Sequence, residues 1–428
     1  MRSHSIFSNI QKPFKAKVFE SRRHGMLSWN WGCFAVLIGI LSTPFVGFCK
    51  EKPVPPELAK FPKLSCKATH IPEEFSTHGS GYTAMTVGCD GKVYVGSARY
   101  CDYGYWIAYD PRTGDVEPVV DIRLLAAEDL YDVNTQGKTH TKLFSDSDGK
   151  IYGGTKQGHE LFITRPEIGE ESGGYPGGHL LSYDPKTGIS EDLGILRAQD
   201  GLMNGILDPA RRRMYFKTEP RTHFIVYEMD THQVIDKGRV GTWGRYIDMD
   251  KNGNVWIPNH DVVTEYDAEL DELIDYEVRV EGPGHPYRKP YACVMGPDGK
   301  FYGGDHLKIQ EFDLNRAANG ILPMRYICPA VPEPFEQSMD IHTMICDTKG
   351  RVYWPTAVQL SDGGKRLLMM RYNPRSGQSE CLGYCVDEEN PDRSNIEVQG
   401  SAIDENGTMY LFVLYPLRII EFPKLTRR

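Results

Sequence analysis

The chain lacks any stretch from which a helix of useful length can be drawn; Leu124 to Leu130 is the best short candidate. It is also short of basic charge. The 49 Lys and Arg against 58 Asp and Glu leave a formal net charge of −9, which gives no general attraction to nucleic acid or to an anionic lipid surface. A local basic pocket for an anionic sugar remains compatible with that balance. Zinc-knuckle spacing is missing too: no two cysteines are separated by two residues. Cys381-x3-Cys385 together with Cys66-x3-His70 has four zinc-binding residue types, but chance spacing accounts for it better.

What is present is a chain of 428 residues, 40% hydrophobic, long enough to bury a large core. At its start, Lys12, Lys15, Lys17, Arg22, Arg23 and His24 precede the apolar run GCFAVLIGILSTPFVGFC, and a proline-rich polar stretch follows. That order is the order of an export signal, and Met26 is an alternative start that would give a leader of ordinary length. The expected organisation is a signal over residues 1–49, a linker over 50–62 and one domain over 63–428. The protein is then exported to a periplasm or the cell exterior, with no membrane span after signal removal. The competing reading is an uncleaved N-terminal anchor. Eight cysteines lie beyond the signal: Cys66, Cys89, Cys101, Cys293, Cys328, Cys346, Cys381 and Cys385. An even number in an exported chain permits up to four disulfides, while Cys89, Cys293 and Cys346, each in an apolar strand before a turn, suit buried thiols equally well.

One pattern recurs along this domain: an apolar strand, an Asp/Gly turn, and at once an aromatic strand. The copies are Cys89-Asp-Gly-Lys-Val-Tyr94, Asp146 to Tyr152, Asp208 to Tyr215, Asp250 to Trp256, Pro297 to Tyr302, Asp347 to Tyr353 and Asp404 to Tyr410. Gly supplies the positive φ of a tight hairpin, Asp accepts backbone donors across it, and Val, Ile and Tyr suit the strand that follows. A second signal closes each copy, strongest in Tyr109-Asp-Pro-Arg-Thr-Gly114, Tyr183-Asp-Pro-Lys-Thr-Gly188 and Tyr372-Asn-Pro-Arg-Ser-Gly377. A period of roughly 40–60 residues made of strands alone is the mark of a propeller. The expected fold is an all-β, seven-bladed β-propeller closed by an N-terminal strand, near Leu64 to His70, in the last blade.

Sites on such a ring lie at the axis, on loops at its mouth. The innermost strands, those before each Asp/Gly turn, carry His140, Asn204, Arg245, Tyr291 and His342, which could converge on one pocket. The second unit is long and its excess is rich in His, Gly and Tyr, with His159, Tyr175 and His179; the third adds Arg221 and His223 after its aromatic strand. Asp248-x-Asp250-x-Asn252-Gly253 matches the front of a calcium loop, but its twelfth position is Asn259, and the segment reads better as a regular repeat turn.

Lys138-Thr-His-Thr-Lys, the run through Gly-Gly-Thr-Lys-Gln-Gly-His159, and Tyr175-Pro-Gly-Gly-His179-Leu-Leu-Ser-Tyr-Asp-Pro resemble the propeller-type polysaccharide lyases, notably the ulvan lyases. The resemblance implies catalysis by His140, His159 and Arg221 on an anionic polysaccharide or oligosaccharide. Tyr175, His179, His223, Arg245, Tyr246 and His342 are then candidates to bind substrate. Met203-Asn204 stands where the family's tyrosine is sought, so Tyr175 or Tyr246 would have to substitute for it. The residue types suit β-elimination: a cation on the uronate carboxylate acidifies C5–H, a base takes that proton, and an acid protonates the leaving oxygen. Two other classes fit the same fold. One is a non-catalytic carbohydrate- or protein-binding propeller; the other is a lactonase-like hydrolase, which would want several carboxylates in the innermost strands around an axial metal. No cofactor is required by the sequence, a structural or axial divalent metal is left open, and the protein is expected to be a monomer.

Overall fold

The computed structural model describes residues 54–129, 134–158, 174–241, 245–283, 285–339, 341–387, 389 and 397–427. Residues 1–53, with the expected export signal, His159 and most of the second unit's insertion therefore lie outside the described residues. Within them the architecture is all-β and propeller-like. Among the described residues the one short α-helix, Ile122–Ala126, starts slightly earlier than the sequence suggests because Asp121 caps it, accepting from the N–H groups of Arg123 and Leu124.

The recurring turn has a physical cause in the carboxylate of its aspartate. One oxygen accepts backbone N–H groups across the hairpin, and the other accepts the polar atom of the aromatic residue that opens the next strand. Asp347 accepts from the N–H groups of Lys349 and Arg351, both at 2.9 Å, and from the Tyr353 hydroxyl at 3.1 Å. Asp90 takes Lys92 N–H and the Tyr94 hydroxyl, Asp146 takes Lys150 N–H and Tyr152, and Asp250 takes Asn254 N–H and the Trp256 indole. Asp298 and Tyr302, and Asp404 and Tyr410, repeat the pairing. At Asp208 the second oxygen is held instead by Arg211, at 2.9 Å. The reading of Asp250 as a turn residue agrees with these bonds. Gly350 closes its turn at a φ of 80°, which only glycine adopts cheaply.

Each turn defines a unit of antiparallel strands, named here by its aspartate. In the Asp90 unit Gly81–Val87, Val93–Ser97, Tyr105–Tyr109 and Val116–Asp121 pair in that order, and the Asp208 unit is built alike. In the Asp146 unit the innermost strand is split into Lys138–Thr139 and Phe144–Ser145, both paired with Ile151–Lys156. His140 lies in the break. The other strands form two eight-stranded sheets, each consisting of two antiparallel units joined by a parallel pairing of their outer strands. One join is Glu272–Val280 with Ile321–Pro329. The other is made by Lys63–His70, whose first half runs parallel to Gln378–Asp387 while its second half pairs antiparallel with Arg418–Phe422. The Asp404 unit thus takes its outermost strand from the N-terminal end of the domain.

The core is layered between neighbouring units. Val93, Val95 and Ile107 of the Asp90 unit pack in one cluster with Phe412, Leu417 and Ile419 of the Asp404 unit, so the first and last units share a core. A narrow cavity of about 110 Å³ is lined by Thr83, Lys142, Asn204, Asp248, Cys293, Thr343 and Ser401, one residue from every unit. The innermost strands therefore surround a common axis. Among the described residues Cys89, Cys293, Cys328, Cys346, Cys381 and Cys385 are free thiols, and Cys89 is exposed, beyond the end of its strand. Cys66 and Cys385 share an apolar cluster, and among the described residues no group of three or more His, Cys, Asp or Glu could hold a metal ion.

Candidate functional site at the axial mouth

Each innermost strand ends in its Asp hairpin, so the segments that precede these strands, and the loops between second and third strands, meet at the opposite end of the axis. The Lys138–Thr139 strand is fixed there by the buried Trp106 indole, which donates to Thr139 Oγ1 at 2.9 Å. His140 follows and is 2% exposed. Its ring stacks on Tyr82 with centroids 4.4 Å apart, and Nδ1 lies 3.1 Å from the Met203 carbonyl. A carbonyl can only accept, so Nδ1 carries the proton and Nε2 keeps its lone pair. Burial, and after it the charges of Lys156, Arg245 and Lys138, push the His140 pKa well below its ordinary value. The imidazole is neutral at neutral pH.

Tyr82, which the sequence analysis did not single out, stands beside His140. It comes from the Asp90 unit, and its hydroxyl bonds to that of Tyr100 at 2.8 Å. Lys138 Nζ sits 4.9 Å from its ring centre and the Arg245 guanidinium 5.9 Å. Arg245 also reaches Gln399 Oε1 at 3.1 Å, linking the Asp250 and Asp404 units. Lys156 and Glu219, at equivalent positions of neighbouring units, form a buried ion pair. Tyr246 donates to the His342 carbonyl. Both line a cavity of about 570 Å³ with Arg245, Arg288, Lys289, His260, His306, Tyr287 and Tyr291 among its walls.

The remaining expected residues are engaged elsewhere. Arg221 donates to Gln199 Oε1 at 2.8 Å and to the Ala198 carbonyl at 3.3 Å, and lies 3.4 Å from Asp200, whose carboxylate is also held by Arg197 at 2.7 Å. Tyr175 is buried, its hydroxyl donating to Gln136 Oε1 at 2.9 Å, and burial pushes its pKa well up. His179 lies between Asp192, 2.8 Å from Nδ1, and Glu128, 2.7 Å from Nε2. Burial disfavours its charge, but the two carboxylates outweigh it and raise the pKa to about 9. His223 donates from Nδ1 to Asp236 at 2.8 Å and accepts from Arg197 at 3.1 Å, so it ties an outer strand to a loop. Thus His140, Arg245, Tyr246 and His342 gather at the mouth, while Tyr175, His179 and His223 brace the loops around it.

No protein-family model matches the chain, and no curated protein does. Solved structures do. A chain of a mitotic checkpoint complex is 11% identical with a TM-score of 0.55, over 90% of this chain and 99% of that one. The WD40 repeats of RRP9 are 9% identical with a TM-score of 0.51, over 83% and 97%. The extracellular domain of the hybrid two-component system BT3049 from B. thetaiotaomicron is 13% identical with a TM-score of 0.51, over 85% of this chain and 42% of that one. At such identities the likeness is one of fold alone. The chain is an all-β protein with the β-propeller fold.

Proposed function

We propose that the protein is an exported ring of seven blades that takes a uronate-containing oligosaccharide at its mouth and cleaves it by β-elimination. The supporting observation is His140: a neutral imidazole with Nδ1–H tied to Met203, stacked on a tyrosine and surrounded by Lys138, Lys156 and Arg245. In this reading Lys138 and Arg245 face the C6 carboxylate and stabilise the carbanion-like transition state. Nε2 of His140 takes the C5 proton, the C5–H electron pair forms the C4–C5 double bond, and the C4–O bond breaks. Tyr82 gives its proton to the departing oxygen. His159 and Arg221 keep the catalytic roles that the resemblance implies, as parts of the same proposal.

Two observations favour the non-catalytic alternative. His140 is nearly inaccessible and Arg221 is already engaged with Asp200. Incubation with ulvan, pectate, alginate and glycosaminoglycans, read by the ultraviolet absorbance of the unsaturated uronate, separates the two. Elimination predicts absorbance that His140→Gln reduces by about 1000-fold or more, with neutral glycans inert. Arg245→Ala and Arg221→Ala then tell which guanidinium serves the carboxylate: the one that does should lose about 100-fold in turnover. Saturable binding with no absorbance would establish a binding propeller instead.

A further inference from the structure

One wall of the 570 Å³ cavity is a segment that the elimination chemistry does not use. Residues 286–291 lead into the innermost strand of the Asp298 unit, Ala292–Met295, and their neighbours tie them down in succession. The Tyr326 hydroxyl donates to the Pro286 carbonyl at 3.0 Å, the Tyr287 hydroxyl to the Asn259 carbonyl at 2.8 Å, and the buried Gln310 amide to the Arg288 carbonyl at 2.8 Å. Gly303 leaves room for the Pro290 ring, which a Cβ there would meet at 2.7 Å. The Tyr291 N–H donates to the Gly304 carbonyl at 2.8 Å. The backbone of this wall is therefore fixed before any ligand arrives.

On that fixed backbone Tyr291 is left 46% exposed, although it is large and stands at the head of an innermost strand. Its ring is tilted 48° against that of His306, with centroids 4.4 Å apart, and both line the cavity. An aromatic ring held in this way loses little freedom when a ligand covers it. Arg288 is exposed on the same wall and forms no ion pair among the described residues. Asp305, the one carboxylate lining the cavity among the described residues, accepts the N–H groups of Leu307 at 2.7 Å and Lys308 at 2.6 Å, within its own turn. Arg245 joins the cavity to the mouth: it lines the cavity, and its guanidinium lies 5.9 Å from the centre of the Tyr82 ring on which His140 stacks.

We infer that the cavity is a second sugar subsite, in which Tyr291 is the platform for a uronate ring adjacent along the chain to the one at His140, and Arg288 takes that uronate's carboxylate. A pyranose carries C–H groups on its faces and hydroxyls at its rim, so the negative face of an aromatic ring attracts the former while the latter stay hydrated. A guanidinium matches a carboxylate bidentately. The inference rests on the mouth taking a uronate oligosaccharide and is independent of cleavage there. It makes chain length a determinant of affinity, because two linked rings engage both places as one ligand. An acidic peptide satisfies the guanidinium but leaves the flat ring without a matching face.

The test is calorimetric titration of the full chain with tetrasaccharides and single uronates from pectate, alginate and ulvan, with cellotetraose and with tetraglutamate. Absorbance of the unsaturated uronate reports any cleavage separately. At least one acidic tetrasaccharide should bind about tenfold or more tighter than its single uronate, and tighter than cellotetraose or tetraglutamate by a similar factor. Tyr291→Ala should weaken that tetrasaccharide about fivefold to tenfold, and Tyr291→Phe, which keeps the ring, should not. Arg288→Gln should cost about tenfold. Both side chains are exposed, so the melting temperature should stay put in all three variants. No saturable binding of any acidic tetrasaccharide, unchanged affinity in Tyr291→Ala, or tetraglutamate bound as tightly would overturn the subsite. Absorbance that appears while Tyr291→Ala binds normally refutes the subsite alone; length-dependent binding that Tyr291→Ala weakens, without absorbance, refutes elimination alone.

Discussion

The two ends of the axis are built from the same repeats and differ in every property that bears on function. At the hairpin end the turn carboxylate of every unit but that of Asp208 does the same two jobs, closing a turn and holding an aromatic residue, as at Asp347 with Tyr353 and Asp298 with Tyr302. At the mouth the equivalent positions diverge into Tyr82, His140, Arg245 and His342, and charge is gathered rather than dispersed. The difference teaches where selection for stability ends in this ring. Uniform local bonds hold each unit in register, which leaves the opposite loops free to vary without endangering the fold.

Exchanging the two ends by mutation sharpens that contrast. Asp347→Ala removes two backbone acceptances, the Tyr353 bond and the Arg351 ion pair from a buried site. It should cost about 2–4 kcal/mol in denaturant unfolding while leaving anion affinity unchanged. A loss of affinity at constant stability would show that the ends are not separable.

His179 gives a smaller effect from the loops beside the mouth, visible as a pH dependence. Its folded pKa of about 9 lies above the unfolded value of about 6.5, so its stabilisation is fully present below about pH 6.5 and lost as pH rises through 9. The shift corresponds to roughly 3 kcal/mol at most. Unfolding free energy should fall across that window, and His179→Gln should flatten the profile; an unchanged profile would mean that Asp192 and Glu128 do not hold a charged imidazole.

Much of the fold was legible in the sequence because its cause is local. An Asp, a Gly and an aromatic within a few residues specify the hairpin wherever they occur, and a strand near Leu64 to His70 was needed to complete the short last unit. The site was harder to read because it is assembled across units. Arg245, His342 and Gln399 all lie five residues ahead of their turn aspartates, yet Tyr82 lies eight ahead of Asp90. The irregular register between Gly81 and Met85 accounts for that offset. Gln399 went unnoticed although its position matched. Lys156 carried a fainter signal, a lysine inside an otherwise apolar or small-residue strand, which its pairing with Glu219 turns into a buried ion pair. His179 and His223 appeared as site residues by composition, and only their carboxylate partners reveal a bracing role.

The most direct test of a functional mouth opposite a structural hairpin end is hydrogen exchange of the whole chain with and without a glucuronate oligosaccharide. The account predicts slowed exchange in segments 80–84, 136–142, 245–247 and 287–293, and none in the hairpins around Asp90, Asp146 and Asp347. Protection at the hairpins with no change at the mouth would contradict it.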